Sequence, residues 1–326
     1  MRYFIFFLLL LTASLGFSQK LSLYDLTVEY KTNPIGIDEV HPRFSWKLNA
    51  DRNNTMQSAF ELQVSLDKEF KNLMWSTGKV ESDQSILVPY EGHDLVPNQR
   101  YYWRVRVWDN FKKRSNWIAP QYWETGMMNP SNWKAKWIEP VQEEKHSGPA
   151  AMVRKEFSTA KKVVSARAYV SAHGLYELHL NGEVVGDHVF APGWTSYEER
   201  VQYQVYDVTS NIQQGENVIG AYIGDGWYRG QLAWGPNNWA HYGRKIGLIC
   251  QVEITYQDGS TETIVSDENW KGTMDGPIIM NSLYNGEHYD ARKEKFGWDT
   301  KKFDESDWQQ VSVSAEGAEK LISTQA

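Results

Sequence analysis

The chain has 326 residues, 41% of them hydrophobic and 14% aromatic, and a formal net charge of −7. That is enough apolar material for two or three packed domains, and it excludes a disordered or fibrous chain. The acidic balance, with no Lys/Arg run, excludes the basic face that a nucleic-acid binder needs.

In chain order, the opening segment MRYFIFFLLLLTASLGFSQ places Arg2 before an apolar run, Tyr3–Leu11, and then small residues. This predicts a secretory signal, residues 1–18, cleaved after Ser18. The apolar run is short of the ~20 residues of a spanning helix. No cysteine follows it to carry a lipid anchor, and no later segment could span a membrane. The mature protein is expected in the periplasm or outside the cell.

Almost every periodic segment after that has period two, the mark of half-buried strands. LTVEYK (26–31), AFELQVSLD (59–67) and YYWRVRVWDN (101–110) alternate first, with Trp46, Trp103 and Trp108 expected in their core. RAYVSAHGLYELHLNGEVVG (167–186) breaks at Gly174 and turns at Asn181-Gly182, a pair suited to a type I′ hairpin turn. RVQYQVYDVT (200–209), ENVIGAYIG (216–224), LICQVEITY (248–256) and TETIVSD (261–267) continue the pattern, the last two joined at QDGS. DVTSNIQQGEN leaves room for one helical turn. The single cysteine, Cys250, lies in an alternating run and reads as a buried small hydrophobe. The eight histidines show no metal-ligand spacing.

These runs predict an all-β protein: an immunoglobulin/fibronectin-III-like sandwich over 19–128, then a larger jelly-roll (galactose-binding-like) sandwich over 131–326. The boundary falls at GMMNPSNWKAKW, where Asn129-Pro130 punctuates the chain.

Little sequence carries catalytic chemistry. Gly224-Asp-Gly226-x-x-x-Gly230 has the wrong spacing for a dinucleotide loop, and no βαβ unit surrounds it. A glycosidase needs two carboxylates across a sugar. Asp225, Glu287 and Asp290 are the candidates, against the alternative that they cap turns or pair with Arg229 and Arg292. The segment IGDGWYRGQLAWGPNNWAHYG (223–243) is richer. Trp227, Tyr228, Trp234 and Trp239 could cover the apolar face of a sugar, with Asp225, Arg229, Asn237 and Asn238 taking its hydroxyls. Trp194, in APGWTSYEER, could join from a neighbouring loop. The same rings could instead plug the end of a sandwich, and the residues alone leave both open.

GLYELHLNGEVVGDHVFAPGWTSYEERVQYQVYDVTSNIQQGENVIGAYIGDGWYRG (174–230), NSLYNGEHYDARKE (281–294) and FGWDTKKFDESDWQQV (296–311) closely resemble the N-terminal β-sandwich region of bacterial α-L-rhamnosidases, glycoside hydrolase family 78. LTVEYKTNPIGIDEVHPRFSWKL (26–48) resembles the fibronectin-III-like domain that precedes it in many members. The resemblance implies an inverting hydrolase of terminal α-L-rhamnose whose catalytic acids lie in a C-terminal (α/α)6 barrel. No helical repeat region is present in this sequence, so a fragment without its own catalytic acids is expected. Its partners would be a rhamnose-containing glycan and the missing C-terminal catalytic domain. Some members bind rhamnose on such a sandwich, in one case with calcium. Calcium is therefore a possible ligand, with no residue assigned to it.

Overall fold

The computed structural model describes residues 21–144, 147–235 and 238–324; the predicted signal segment 1–18 and Asn237 lie outside the described residues. The described residues form two compact units, one from 21–32, 43–92 and 102–121, the other from 33–42, 93–101 and the described part of 122–324.

The smaller unit is built from short antiparallel strands. β1 (Leu21–Val28), β2 (Arg43–Ala50) and β5 (Val88–Pro89) form one sheet; β3 (Gln57–Ser65) pairs with β4 (Leu73–Ser76) and β6 (Arg100–Asp109) in another. Period two decides the faces. In β6, Trp103, Val105 and Val107 point inward and are buried, while Arg104, Arg106 and Trp108 alternate outward. Trp46 is also core, and its indole N–H donates to Gln57 Oε1 at 2.9 Å. Trp108 is not: its parity differs from that of Trp103, so it lies half-buried on the outer face under the cations of Lys79 and Arg106. The run 26–31 ends as a strand at Val28, because the chain turns at Glu29-Tyr30 and returns at Lys31.

The larger unit begins its main segment with β7 (Gln121–Glu124) and β8 (Ile138–Glu139). β9 (Ala151–Thr159), β10 (Val163–His173), β11 (Leu175–Leu180), β12 (Glu183–Val184), β13 (Val201–Asp207) and β14 (Gly215–Gly224) follow. After the short helix α1 (Gly226–Arg229) come β15 (Gly247–Tyr256), β16 (Thr261–Val265), β17 (Lys271–Thr273), β18 (Ile278–Ser282) and β19 (Gly286–Tyr289). β20 (Gln309–Gln310), β21 (Ser312–Val313) and β22 (Leu321–Ser323) close it. One sheet runs β21-β8-β15-β10-β13-β22 with β16 on β15; the other runs β12-β11-β14-β9-β17-β20; β18 and β19 form a separate hairpin.

Ala168, Val170, Leu248 and Val252 from the first sheet meet Val153, Leu178, Ile219 and Ala221 from the second, and all are fully buried. Cys250 belongs to this core, where burial pushes its thiol up to about 12. The chain crosses between the sheets at Gly174, the one residue between β10 and β11. Its φ is +131°, and a Cβ there would collide with the Gly224 carbonyl, so only glycine fits. Asn181 (φ +53°) and Gly182 (φ +88°) make the expected turn into β12.

Both outer faces carry a second layer. On the first sheet, Trp137, Tyr169, Tyr197, Tyr203, Ile249 and Leu321 form a cluster against which Trp227, Tyr228 and Tyr242 pack. On the second sheet, Met152, Trp298 and Trp308 pack with Tyr222 and Phe303. The segment 207–217 turns without forming a helix, Asn211 N–H donating to Val208 O.

Candidate functional site

β14 delivers the aromatic segment to the end of the sandwich. At its tip Gly226 takes φ +52° and lies where a Cβ would come within 2.6 Å of Leu175. This lets the backbone fold directly into α1, a four-residue helix that the glycine-rich sequence does not signal.

The helix closes on a buried ion pair. Asp225 is 0% exposed and Arg229 1%. Arg229 Nε lies 2.6 Å from Asp225 Oδ1, and Ser147 Oγ donates to Oδ2 at 2.6 Å. The guanidinium also donates to Gln142 Oε1 at 2.9 Å. Asn281 Oδ1 accepts the Asp225 N–H at 2.6 Å, tying α1 to β18. Burial holds the Asp225 carboxyl above its ordinary range, against the opposing pull of Arg229 and Ser147. The sequence offers Asp225 and Arg229 as takers of sugar hydroxyls; the fold encloses both and satisfies them internally.

Tyr228 also points inward. Its ring stacks on His173 (centroids 4.5 Å, planes 7° apart), and His173 stacks on Trp137 (3.9 Å, 9°). Burial lowers the His173 imidazole to about 3 and lifts the Tyr228 phenol to about 12, so the stack holds neutral rings at physiological pH. Trp239 is half-buried, and its backbone bridges to Gln231.

The remaining rings face solvent. Trp194 is 55% exposed and lies parallel to half-buried Trp227, with centroids 6.0 Å apart and planes 6° apart. Phe190 stands edge-on to Trp227 at 6.0 Å. Trp194 Nε1 donates to the Tyr242 hydroxyl at 3.2 Å. Further along, Trp234 is 75% exposed and edge-on to Tyr284 of the β18–β19 turn at 5.4 Å. Asn238 is spent on the loop itself, its Nδ2 donating to Trp234 O at 2.7 Å. Sequence reading missed Val189 and Phe190, which extend this apolar rim, and Asn281, Gln142 and Ser147, which lock the buried pair. The pair Val189-Phe190 before Ala191-Pro192-Gly193 was the available signal: apolar residues beside a tight turn have little core to enter.

The three candidate carboxylates do not make a facing pair of acids. Asp225 is enclosed. Asp290 caps the turn at 291–293 and binds Arg292 at 2.7 Å, which with that backbone N–H holds its carboxyl at about 2. Glu287 is exposed on β19. Among the described residues no group of three or more His, Cys, Asp or Glu could hold a metal ion, so no calcium ligand set is assigned.

Residues 161–326 match the α-L-rhamnosidase N-terminal domain, and residues 23–129 match the Rha78A-like N-terminal immunoglobulin domain. The chain belongs to the α-L-rhamnosidase family, glycoside hydrolase 78, and corresponds to its N-terminal region. An α-L-rhamnosidase of Formosa agariphila is 36% identical over 324 residues, covering 96% of this chain and 35% of the relative. One from Alteromonas sp. is 35% identical, covering 87% of this chain and 32% of the relative. The chain thus spans about a third of the length of these curated relatives. Among solved structures, the α-L-rhamnosidase from Dictyoglumus thermophilum superposes with a TM-score of 0.85 at 41% identity, over 93% of this chain and 35% of that one. The Streptomyces avermitilis α-L-rhamnosidase complexed with L-rhamnose gives 0.87 at 28% identity, over 93% and 46%.

Proposed function

We propose that this chain serves as the non-catalytic N-terminal part of an α-L-rhamnosidase-like hydrolase, and that its aromatic rim seats the catalytic domain of that enzyme. One observation carries this reading. The exposed rings fall in two groups, Phe190 and Trp194 against Trp227, and Trp234 against Tyr284, while the charged groups of the same segment, Asp225 and Arg229, are sealed inside. An apolar rim without converging polar groups is suited to a protein surface. The signal at 1–18 supports an exported protein acting in the periplasm or outside the cell.

The test is reconstitution. The Formosa agariphila relative, expressed without its matching N-terminal third, is titrated with this chain in analytical ultracentrifugation. Association is expected, and it should weaken at least tenfold in Trp194→Ala combined with Trp234→Ala, about 1.4 kcal/mol or more. Two species that never associate would sink the proposal. The purified chain is expected to release nothing from an aryl α-L-rhamnoside.

A second reading, binding of a rhamnose-containing glycan at the same rim, is favoured by Trp234, whose flat ring is three-quarters exposed. Calorimetry with L-rhamnose tests it. Heat that vanishes in Trp234→Ala, without association in the ultracentrifuge, would replace the first reading with this one.

A further inference from the structure

The smaller unit holds a groove of about 540 Å³ on the β1–β2 face, of the size that small-ligand sites occupy. Tyr24 and Tyr30, 52% and 63% exposed, line it with Ile86. Thr27, Ser45, Asp25 and Lys47 supply its polar groups. Lys47 Nζ meets Asp25 Oδ2 at 2.6 Å, both half-exposed, so each keeps further hydrogen-bonding capacity.

The backbone under this groove is held in unusual conformations. Asp25 (φ +50°) sits in a bulge of β1 opposite β2. Glu29 (φ +48°) and Tyr30 (φ +66°) form the two-residue turn closed by reciprocal hydrogen bonds between Val28 and Lys31. Leu87, next to Ile86, has φ +54°. Turns of this type are normally built from Asn and Gly, because other residues pay for a left-handed conformation. Here a tyrosine holds the second position. Arg43 locks the first: its N–H donates to Glu29 Oε1 at 2.7 Å and its guanidinium to Glu29 Oε2 at 2.6 Å. Left-handed residues recur elsewhere along the chain, but Asp25, Glu29, Tyr30 and Leu87 gather around this one groove, and backbone strain held by its surroundings is a feature of ligand sites.

We propose that this groove is a saccharide-binding site for a neutral glycan. Tyr24 and Tyr30 supply the flat apolar faces that cover a pyranose ring. Asp25 accepts from and Lys47 donates to neighbouring hydroxyls, and Thr27 and Ser45 complete the polar set. The charges cancel in pairs, Asp25 with Lys47 and Glu29 with Arg43, so the groove has no net charge to attract an anionic sugar. The site is independent of the aromatic rim and of its proposed role.

Residue-resolved NMR titration of the mature chain with rutinose, a neutral disaccharide, and with trigalacturonate as its charged counterpart tests this. Rutinose should shift amides at 24–30 and 45–48 with weak, saturable affinity, and trigalacturonate should shift them less. Tyr24→Ala should weaken binding about fivefold or more, the loss of one ring contact worth about 1 kcal/mol. Tyr30→Asn separates recognition from scaffolding, because asparagine tolerates the left-handed region. It should abolish the shifts while leaving the melting temperature equal or higher; a fall with binding intact would overturn the proposal. So would rutinose shifts confined to the rim and lost in Trp234→Ala, or no shift at 24–30 in the wild-type protein.

Discussion

Asp225→Ala measures whether the acid beside the aromatic rim holds the fold or waits for a ligand. In the wild-type chain the carboxylate takes Arg229 Nε at 2.6 Å, a second Arg229 nitrogen at 2.5 Å and Ser147 Oγ at 2.6 Å, with no solvent exposure. Truncation leaves a guanidinium that is 1% exposed with, among the described residues, Gln142 Oε1 at 2.9 Å and Pro149 O at 3.4 Å. Stranding one member of a buried pair costs about 3–5 kcal/mol. With an m-value of about 2–3 kcal/mol/M in urea, the midpoint should fall by roughly 1–2.5 M. Asp225→Asn keeps the size and one acceptor but loses the charge, so it should lose about 1.5–3 kcal/mol. The double variant Asp225→Ala/Arg229→Met removes both charges and should lose less than the sum of the two singles, by at least ~1 kcal/mol. Urea unfolding followed by circular dichroism reads the wild type and the four variants, Arg229→Met alone included. Asp225→Ala within about 0.5 kcal/mol of wild type would refute the reasoning and return Asp225 to the list of ligand-binding groups.

Three further outcomes are expected. His179 is gripped by Asp299 at Nδ1 (2.8 Å) and Glu177 at Nε2 (2.9 Å); burial lowers its pKa, but those two acids outweigh burial and raise it above 6.5. A raised folded value means stability that is full below the ordinary imidazole range and is lost as pH rises through the folded value. Thermal unfolding followed by circular dichroism over a series of pH values should show that loss, and His179→Gln should flatten it. Gly174→Ala must fit a Cβ at φ +131° against the Gly224 carbonyl; it should cost more than about 2 kcal/mol or prevent soluble expression. Cys250 should ignore a thiol reagent in the native protein and react fully in urea, since burial both shields the sulfur and suppresses its thiolate.

The strands were legible because period two survives in single sequences: Trp103 to Val107 alternate, and Asn181-Gly182 names its own turn type. Trp108 lies outside the core because its parity is opposite to that of Trp103, a fact already present in the string. The positions of Asp225 and Arg229 were not legible at all. Four residues apart in a glycine-rich run, they look like surface groups until Gly226 bends the chain into α1 and presents both to Ser147 and Gln142. Those partners come from some 80 residues away, and no local pattern announces such a meeting.

That separation of polar from aromatic residues is what reshapes the candidate site. In sequence, Asp225, Trp227 and Arg229 read as one mixed surface; in space, Asp225 and Arg229 form a buried lock beneath α1, while Trp227 joins Trp194 and Phe190 at the rim. A sugar subsite needs polar groups aimed at hydroxyls as well as a flat ring, and here the lock has withdrawn them. What a rim of rings can still do well is bury apolar area against another protein surface, where each covered tryptophan can contribute strongly. The groove at Tyr24 and Tyr30 has the opposite character: its rings and its charged pair remain exposed together. On the two proposals above, the roles that the sequence had assigned to a single loop divide between two sites, with protein contact proposed at the aromatic rim of the larger unit and glycan contact proposed on the β1–β2 face of the smaller.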